Sequence, residues 1–216
     1  MEARLVRIKR DLERLRRRLP FAREVPFGAE VHRYRLNPPI SIAVLEEFED
    51  RYDVRLPEDY RAFLLHVGNG GAGPYYGILP LQSWDDIYHD ELEDELKEDP
   101  DVLGRALVAP CPIEDNLIFD GWEDNEENYR WNYRLPHYEY SPFQGTITIC
   151  DQGCTYYSIL VVSGNARGRV CNMDLDWCVA PNLAPFPDFL SWYEAWLDRS
   201  LSGEDLTLFG RYHKRG

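Results

Sequence analysis

The chain has 216 residues, of which 44% are hydrophobic and 13% aromatic, so it can fold as one domain with a substantial core. Its formal net charge of −14 argues against direct nucleic-acid binding, because phosphate recognition requires a basic surface. No apolar run approaches the roughly 20 residues that span a bilayer, and no apolar signal segment opens the sequence, which predicts a cytoplasmic protein. The five cysteines lack the spacing of a disulfide framework and are expected to be free thiols.

The first predicted element is a basic amphipathic helix over residues 3–19, which Pro20 ends. Its apolar positions alternate spacings of three and four residues, and they are Leu5, Ile8, Leu12, Leu15 and Leu19. Such a helix can lie on an anionic membrane or dock on the protein's own core. The apolar stripe is narrow and lacks Trp and Phe, which favours docking on the core and predicts no membrane association.

Two further helices are predicted on either side of Leu56-Pro57. Ser41 is the expected N-cap of the first, whose buried side should comprise Ile42, Leu45, Phe48 and Tyr52. Pro57 should open the second helix, with Glu58 and Asp59 at the positive end of its dipole. This helix should end where a residue adopts a left-handed conformation, at Asn69-Gly70-Gly71, after burying Tyr60, Phe63, Leu64 and Val67.

Six apolar runs in the remaining chain are predicted to form short strands. Three runs joined by polar links at 151–153 and 164–168 indicate an antiparallel meander, and they are residues 146–150, 155–162 and 168–173. Other apolar runs that could be strands are residues 75–81, 105–113 and 116–120.

Four segments complete the prediction. A short acidic helix is expected within residues 83–99, before Pro100, and residues 120–145 fit no single period, which predicts a long loop or insertion. Asp188 should cap a final helix that buries Phe189, Trp192, Trp196 and Leu197. Residues 211–216 form a basic tail.

The negative charge is concentrated in the middle of the chain, where 17 acidic residues between Asp85 and Asn128 face only Lys97 and Arg105. Such a segment favours a basic partner, because opposite charge speeds encounter, and its aromatic residues are suitable interface anchors. The predicted partner-binding residues are Asp85, Asp86, Glu93, Asp94, Trp122, Glu123, Asp124, Glu126, Glu127 and Tyr129. Alternatively, the carboxylates form a solvated surface and the aromatic residues pack in the core.

No motif of the sequence indicates catalysis. The chain lacks a G-x-S-x-G elbow, a P-loop and a Rossmann glycine pattern. His137-Tyr138-Glu139 followed by Cys150 and Cys154 approaches the signature of zinc deaminases, but three residues separate the cysteines and no proline precedes them. We therefore expect no enzyme activity, no bound metal and no cofactor.

The helical pair around Leu56-Pro57 resembles the defining N-terminal motif of the SUKH superfamily, the Smi/Knr-type domain. The residues that carry this resemblance are Phe48-Glu49, Val54, Leu56-Pro57, Asp59-Tyr60, Phe63-Leu64 and Asn69-Gly70-Gly71. The resemblance implies an α+β fold over residues 1–210, a single domain in which a mixed, mainly antiparallel sheet packs with N-terminal helices and a C-terminal helix. It also implies that the Leu-Pro and Asn-Gly-Gly residues determine the fold and do not bind a partner.

The same resemblance implies a function. Bacterial members of the superfamily look like immunity proteins that bind and neutralise a cognate toxin domain, often a nuclease, of a polymorphic toxin system. For this chain we therefore expect a monomer that binds a basic toxin protein without catalysis. The alternative is a regulatory or scaffolding protein with a different protein partner.

Overall fold

The computed structural model describes residues 1–22, 25–85, 99, 101–113, 144–175 and 181–210. In these ranges six α-helices and one four-stranded antiparallel sheet form an α+β fold, which confirms the predicted fold class. The helices are α1 (Glu2–Arg18), α2 (Ala29–His32), α3 (Ile42–Tyr52), α4 (Glu58–His66), α5 (Val102–Val108) and α6 (Phe189–Ser202). The strands are β1 (Thr146–Gly153), β2 (Tyr156–Val161), β3 (Val170–Asp174) and β4 (Asn182–Leu183). The elements predicted at 83–99, 116–120, 120–145 and 211–216 lie wholly or largely outside the described residues.

Helix α1 is the predicted N-terminal helix, and it begins and ends one residue earlier than expected. Its apolar stripe is buried at Leu5, Ile8, Leu12 and Leu15, so the expected docking on the protein's own core is confirmed. The helix packs against α6 and α4. Within the described part of the chain, no helix is long and apolar enough to cross a membrane.

The connection between α3 and α4 is organised by the buried carboxylate of Glu49. This carboxylate accepts the backbone N–H of Leu56 at 2.8 Å and a hydrogen bond from the buried guanidinium of Arg61. A buried N–H without an acceptor is costly, so the carboxylate stabilises the extended backbone that precedes Pro57. Leu56 itself is completely buried, which agrees with its expected role in determining the fold.

The predicted caps and faces of these two helices are mostly correct. Ser41 caps α3 by accepting the N–H of Val44 at 3.3 Å, and the expected buried face of α4 is confirmed. The prediction that Ile42 lies on the buried face of α3 is wrong: this side chain is exposed, because Leu45, Glu49 and the half-buried Phe48 and Tyr52 form the inner stripe. Pro57 is the N-cap of α4 and not its first residue.

The chain leaves α4 through Asn69, Gly70 and Gly71 and reaches the edge of the sheet. Both glycines have positive φ, +88° and +96°, as expected, but they do not end the helix, because α4 ends at His66 and its C-cap Val67 has a right-handed conformation. The side chain of Asn69 accepts the N–H of Leu81 at 2.8 Å. Gly71 and Ile78 exchange two backbone hydrogen bonds of 2.8 and 2.7 Å, so this turn holds the following segment in place.

The sheet has the strand order β1-β2-β3-β4 with antiparallel neighbours, which confirms the predicted meander. The link predicted at residues 151–153 is wrong, because β1 continues through Gly153 and the turn lies at Cys154 and Thr155. Cys154 adopts a positive φ of +53°, which reverses the chain one residue later than the glycine suggested.

The strand predicted at residues 75–81 is reduced to single bridges at Ile78, which pairs with Gly71 on one side and Cys150 on the other. Tyr75 has a positive φ of +52°, and Pro80 cannot donate a ladder hydrogen bond, so the extended stretch is short. A 3₁₀ turn, Leu81–Ser83, follows directly.

The strand predicted at residues 105–113 is also wrong, because α5 occupies its first half. Val102 and Ala106, four positions apart, are both buried, and this is helical spacing. The apolar run within 105–113 is too short for its periodicity to distinguish a strand from a helix.

Helix α6 completes the core. The carboxylate of Asp188 accepts the N–H of Ser191 at 2.6 Å, which confirms the predicted cap. The predicted apolar face is buried, and Phe189 packs against Tyr60 and Phe63 of α4 at ring-centroid distances of 4.9 and 5.2 Å. The contact between α4 and α6 is therefore part of the core, which also includes buried side chains of α1 and of the strands.

Candidate partner-binding surface

Of the predicted partner-binding residues, only Asp85 lies in the described part of the chain. The other nine fall outside the described residues, and they are Asp86, Glu93, Asp94, Trp122, Glu123, Asp124, Glu126, Glu127 and Tyr129. What the structure does give is the position of the described chain on either side of these segments.

Asp85 follows a buried aromatic cluster. The ring of Trp84 packs edge-on against Phe48 and Tyr52 of α3, at centroid distances of 6.0 and 5.3 Å. The carbonyl of Trp84 also accepts the N–H of Thr148 in β1 at 3.4 Å. Asp85 is therefore half-buried at a junction between α3 and the edge of the sheet.

The chain returns to the described part at Asp99, beside α5. The carbonyl of Asp99 accepts the N–H of Val102 at 3.2 Å, and its carboxylate pairs with Arg105. A hydrogen bond from this guanidinium lowers the pKa of Asp99. Since α5 packs against α3, both described ends of the segment 86–98 lie near α3.

The second acidic segment is also bounded by α5. On the far side of residues 114–143, the side chain of Gln144 donates to the carbonyl of Pro110 at 2.9 Å. The N–H of Gly145 donates to Ala106 at 2.8 Å. The described chain on both sides of each predicted acidic segment therefore lies around α3, α5 and the start of β1.

Helix α3 adds carboxylates that the sequence reasoning missed. Glu46, Glu47 and Asp50 are exposed on its outer side, and Asp53 follows the helix in a left-handed conformation with a φ of +50°. The signal was present in the sequence, because Glu46 and Asp50 are four residues apart and lie on one helix face. In the described part of the chain, these four carboxylates make the outer side of α3 acidic, and the exposed Arg51 is the one basic residue of this helix.

The basic N-terminal helix is largely neutralised within the fold. Arg4 pairs with Glu194 at 2.8 Å and with Asp188 at 3.2 Å, and Arg7 pairs with Asp198. Asp188 is partly desolvated, which would raise its pKa, but hydrogen bonds from Arg4 and Ser191 hold it below its ordinary value. The positive charge of α1 therefore helps to fix α6.

Burial shifts the pKa values of three cysteines and of His32 in the direction that disfavours their charged forms. Desolvation raises the pKa of Cys111 to about 12 and also raises the pKa values of Cys150 and Cys171, whereas Cys154 is exposed. A buried thiol with a raised pKa is a poor nucleophile. Burial lowers the pKa of His32 to about 4, so its imidazole is neutral at pH 7.

A metal site would need several converging ligands. Among the residues that the structure describes, no group of three or more His, Cys, Asp or Glu side chains could hold a metal ion. His137 and Glu139 lie outside those residues.

Comparison with known protein families identifies a match over most of the chain. Residues 39–192 match the family model described as SMI1 / KNR4 family (SUKH-1). The match begins before the Ser41 cap of α3 and ends in the first half of α6, and it covers more than half of the chain. Comparison with curated proteins and with solved structures gives no significant match.

Proposed function

We propose that this chain, which belongs to the SMI1 / KNR4 family (SUKH-1) over residues 39–192, is an immunity-type protein that binds and neutralises a cognate toxin domain. Family membership is the observation that supports the proposal, because an immunity-type function fits the SMI1 / KNR4 family. Neutralisation would occur by binding alone, without catalysis. The toxin would be a basic protein, such as a nuclease of a polymorphic toxin system.

The acidic surface around α3 and α5 is the proposed binding site. It would combine the exposed carboxylates of α3 and Asp85 with the acidic residues of segments 86–98 and 114–143. A nuclease must present positive charge to bind phosphates, and a negatively charged protein can cover that charge. Opposite charges on the two proteins would also raise the association rate.

The core residues of the family motif have a different role in this proposal. Glu49, Leu56 and Asn69 are buried. The carboxylate of Glu49 accepts the backbone N–H of Leu56, and the side chain of Asn69 accepts that of Leu81, so these groups form their hydrogen bonds within the fold. They position α3 and the segment that ends at Asp85, and they are not expected to contact the toxin. A substitution at these positions should weaken binding only as far as it unfolds the protein.

The direct test is co-expression with the toxin-like product of an adjacent gene. We expect cells that express the toxin alone to stop growing and cells that also express this chain to survive. The purified proteins should form a complex that inhibits the toxin's activity. A destabilised Leu56→Ala variant serves as the control, because it should fail to protect at temperatures where it is unfolded.

Growth arrest that this chain does not relieve, together with no complex between the purified proteins, would exclude that toxin as the partner. A complex with a non-toxic protein would instead favour a regulatory or scaffolding role.

A further inference from the structure

The chain turns sharply at the end of α2, over residues 32–35, which we call the His32 corner. Arg33 and Tyr34 both have positive φ, +51° and +57°, a conformation that is costly for residues other than glycine. At the far end of the corner, the carbonyl of Arg35 accepts the N–H of Ala72 at 2.7 Å, directly after the glycines of the family motif. A strained backbone of this kind persists only where surrounding contacts hold it.

One of these contacts is a hydrogen bond to the imidazole of His32. The N–H of Tyr34 donates to Nδ1 of His32 at 3.0 Å. Nδ1 therefore presents its lone pair, and the proton of the neutral ring lies on Nε2. Nε2 is buried and has no hydrogen-bond partner among the residues that the structure describes. The geometry of the corner therefore fits the neutral imidazole.

Aromatic rings enclose this imidazole and dock the His32 corner on α6. The centroid of the imidazole lies 5.4 Å from that of Tyr34 and 5.9 Å from that of Trp196 in α6, and both of these side chains are buried. The rings of Tyr34 and Trp196 also stack on each other, with centroids 6.0 Å apart. On another side, a Cβ added at Gly77 would lie 3.4 Å from the imidazole. These surroundings would solvate a positive charge poorly.

The charges around His32 do not compensate for this burial. Burial lowers the pKa of His32 to about 4, although the backbone of Gly73 and the negative charge of Glu30 act in the opposite direction. Among the described residues, the other groups that face the ring are uncharged at pH 7. Burial raises the pKa of Tyr34, and the side chains of Trp196 and Gly77 do not ionise.

We propose that His32 is an acid-sensitive switch, and that protonation of its imidazole releases α2 and the His32 corner from α6. A second proton on the ring would occupy Nδ1, where it would meet the N–H of Tyr34 in place of the present hydrogen bond. The resulting charge would also be enclosed by aromatic rings. Because the corner bonds to Ala72, its opening would loosen the turn of the family motif as well. The switch acts within the fold and does not depend on the proposed toxin binding.

The direction of the pH dependence follows from the two states of the corner. In the open state the imidazole is exposed to water and has its ordinary pKa of 6.5, so this state binds the proton more tightly than the closed state does. The closed state therefore keeps its full stability above this pH and loses stability as the pH falls toward about 4. In this window the equilibrium constant for opening should rise by about tenfold for each pH unit.

Backbone hydrogen exchange of the full-length chain, from about pH 7 to about pH 5, measures the opening after correction for the chemical exchange rate. We expect protection of the His32 corner to fall by about tenfold for each pH unit. The N–H groups of α4 should remain protected at a pH where the corner exchanges, which distinguishes local opening from unfolding of the whole domain.

Two variants assign this pH dependence to His32. His32→Asn retains an acceptor oxygen near the position of Nδ1 but cannot be protonated, so protection of its corner should change little with pH. The matched control is His66→Asn, which replaces an exposed histidine at the end of α4 and should follow the wild type. If His32→Asn does not fold, the comparison between the corner and α4 in the wild type decides.

An NMR titration of the wild type tests the same group directly. The ring protons of His32 can be assigned through nuclear Overhauser contacts with Trp196, and they should titrate well below the ordinary pKa of 6.5. A ring that titrates near its ordinary pKa in the folded protein would overturn the proposal. So would a corner whose protection has the same pH dependence in the wild type and in His32→Asn, or one that exchanges only together with α4.

Discussion

The carboxylate of Asp59 in α4 accepts the backbone N–H of Leu190 in α6 at 2.9 Å, across 131 positions of sequence. Asp188 caps the neighbouring N–H of Ser191, so the start of α6 is capped from two parts of the chain. Asp59 was expected to interact with the dipole of its own helix. Its observed partner shows that it also joins α4 to α6 at the centre of the core.

We expect Asp59→Ala to lower the free energy of unfolding by about 1–2 kcal/mol, the usual effect of losing a helix cap. The N–H of Leu190 would be left without an acceptor in a buried position. Asp59→Asn keeps one acceptor oxygen and should cost less. Chemical denaturation of the three proteins measures both effects. Equal stability of the wild type and Asp59→Ala would show that the contact contributes nothing.

The difference in stability between the wild type and Asp59→Asn is expected to depend on pH. Burial raises the pKa of Asp59 above its ordinary value of 3.8, so the folded protein binds this proton more tightly than the unfolded chain. The part of the stability that comes from this tighter proton binding is therefore fully present below the unfolded pKa and is lost as the pH rises through the folded pKa, whereas the hydrogen bond from Leu190 remains. We expect the stability of the wild type, relative to Asp59→Asn, to increase as the pH falls through this window. Denaturation curves at several acidic pH values measure the difference, and a difference that decreases toward low pH would contradict it.

Leu56→Ala and Phe63→Ala should each lower the free energy of unfolding by about 2–5 kcal/mol, because both side chains are completely buried and their truncation leaves a cavity. Thermal and chemical unfolding measure the loss. Val44→Ala is the control, because this side chain is exposed on α3 and its truncation should change stability little. Unchanged stability in both core variants would mean that the packing of α4 is wrongly assigned.

Gly70→Ala should destabilise the protein, whereas Gly104→Ala should not. Gly70 has a φ of +88°, and an added Cβ would lie 2.8 Å from the carbonyl oxygen of Ile78. Gly104 lies in α5 with no neighbouring atom within 4 Å of an added Cβ, so alanine should stabilise the helix by up to about 1 kcal/mol. A comparison of the two unfolding midpoints tests the conformational argument, since the chemical change is the same. It fails if Gly70→Ala is as stable as the wild type.

Charge reversal tests the proposed toxin surface. Replacing Glu46, Glu47 and Asp50 of α3 together by lysine should leave folding intact, because these carboxylates are exposed and exposed charges contribute little to stability. It should slow association with a basic toxin and weaken the dependence of the rate on salt, since charges at the rim of an interface act mainly on the on-rate. Stopped-flow binding measures both quantities.

The matched control for that experiment reverses Arg16, Arg17 and Arg18 on α1, which should matter little for toxin binding. If the acidic variant binds at the wild-type rate and affinity, the acidic residues form only a solubilising surface.

Local signals in the sequence were sufficient for much of the fold. The apolar stripe of α1, the caps at Ser41 and Asp188 and the meander of three strands depend on residues that are close in sequence. For the candidate site, the sequence predicted the charge but not its surroundings. It gave no indication that Trp84 would place Asp85 between α3 and β1.

The sequence by itself determined the helix periodicity, the positive φ of Gly70 and Gly71 and the family motif, because each depends on spacing over a few residues. Only the tertiary structure decided which polar groups are used inside the fold. Glu49 meets Arg61 and Asp59 meets Leu190 because burial leaves a charged or polar group no partner except one that the packing supplies. Helix α5 extends into the run at 105–113 for a similar reason. The periodicity of this run is ambiguous, and the tertiary packing buries Val102 and Ala106 on one face of the helix.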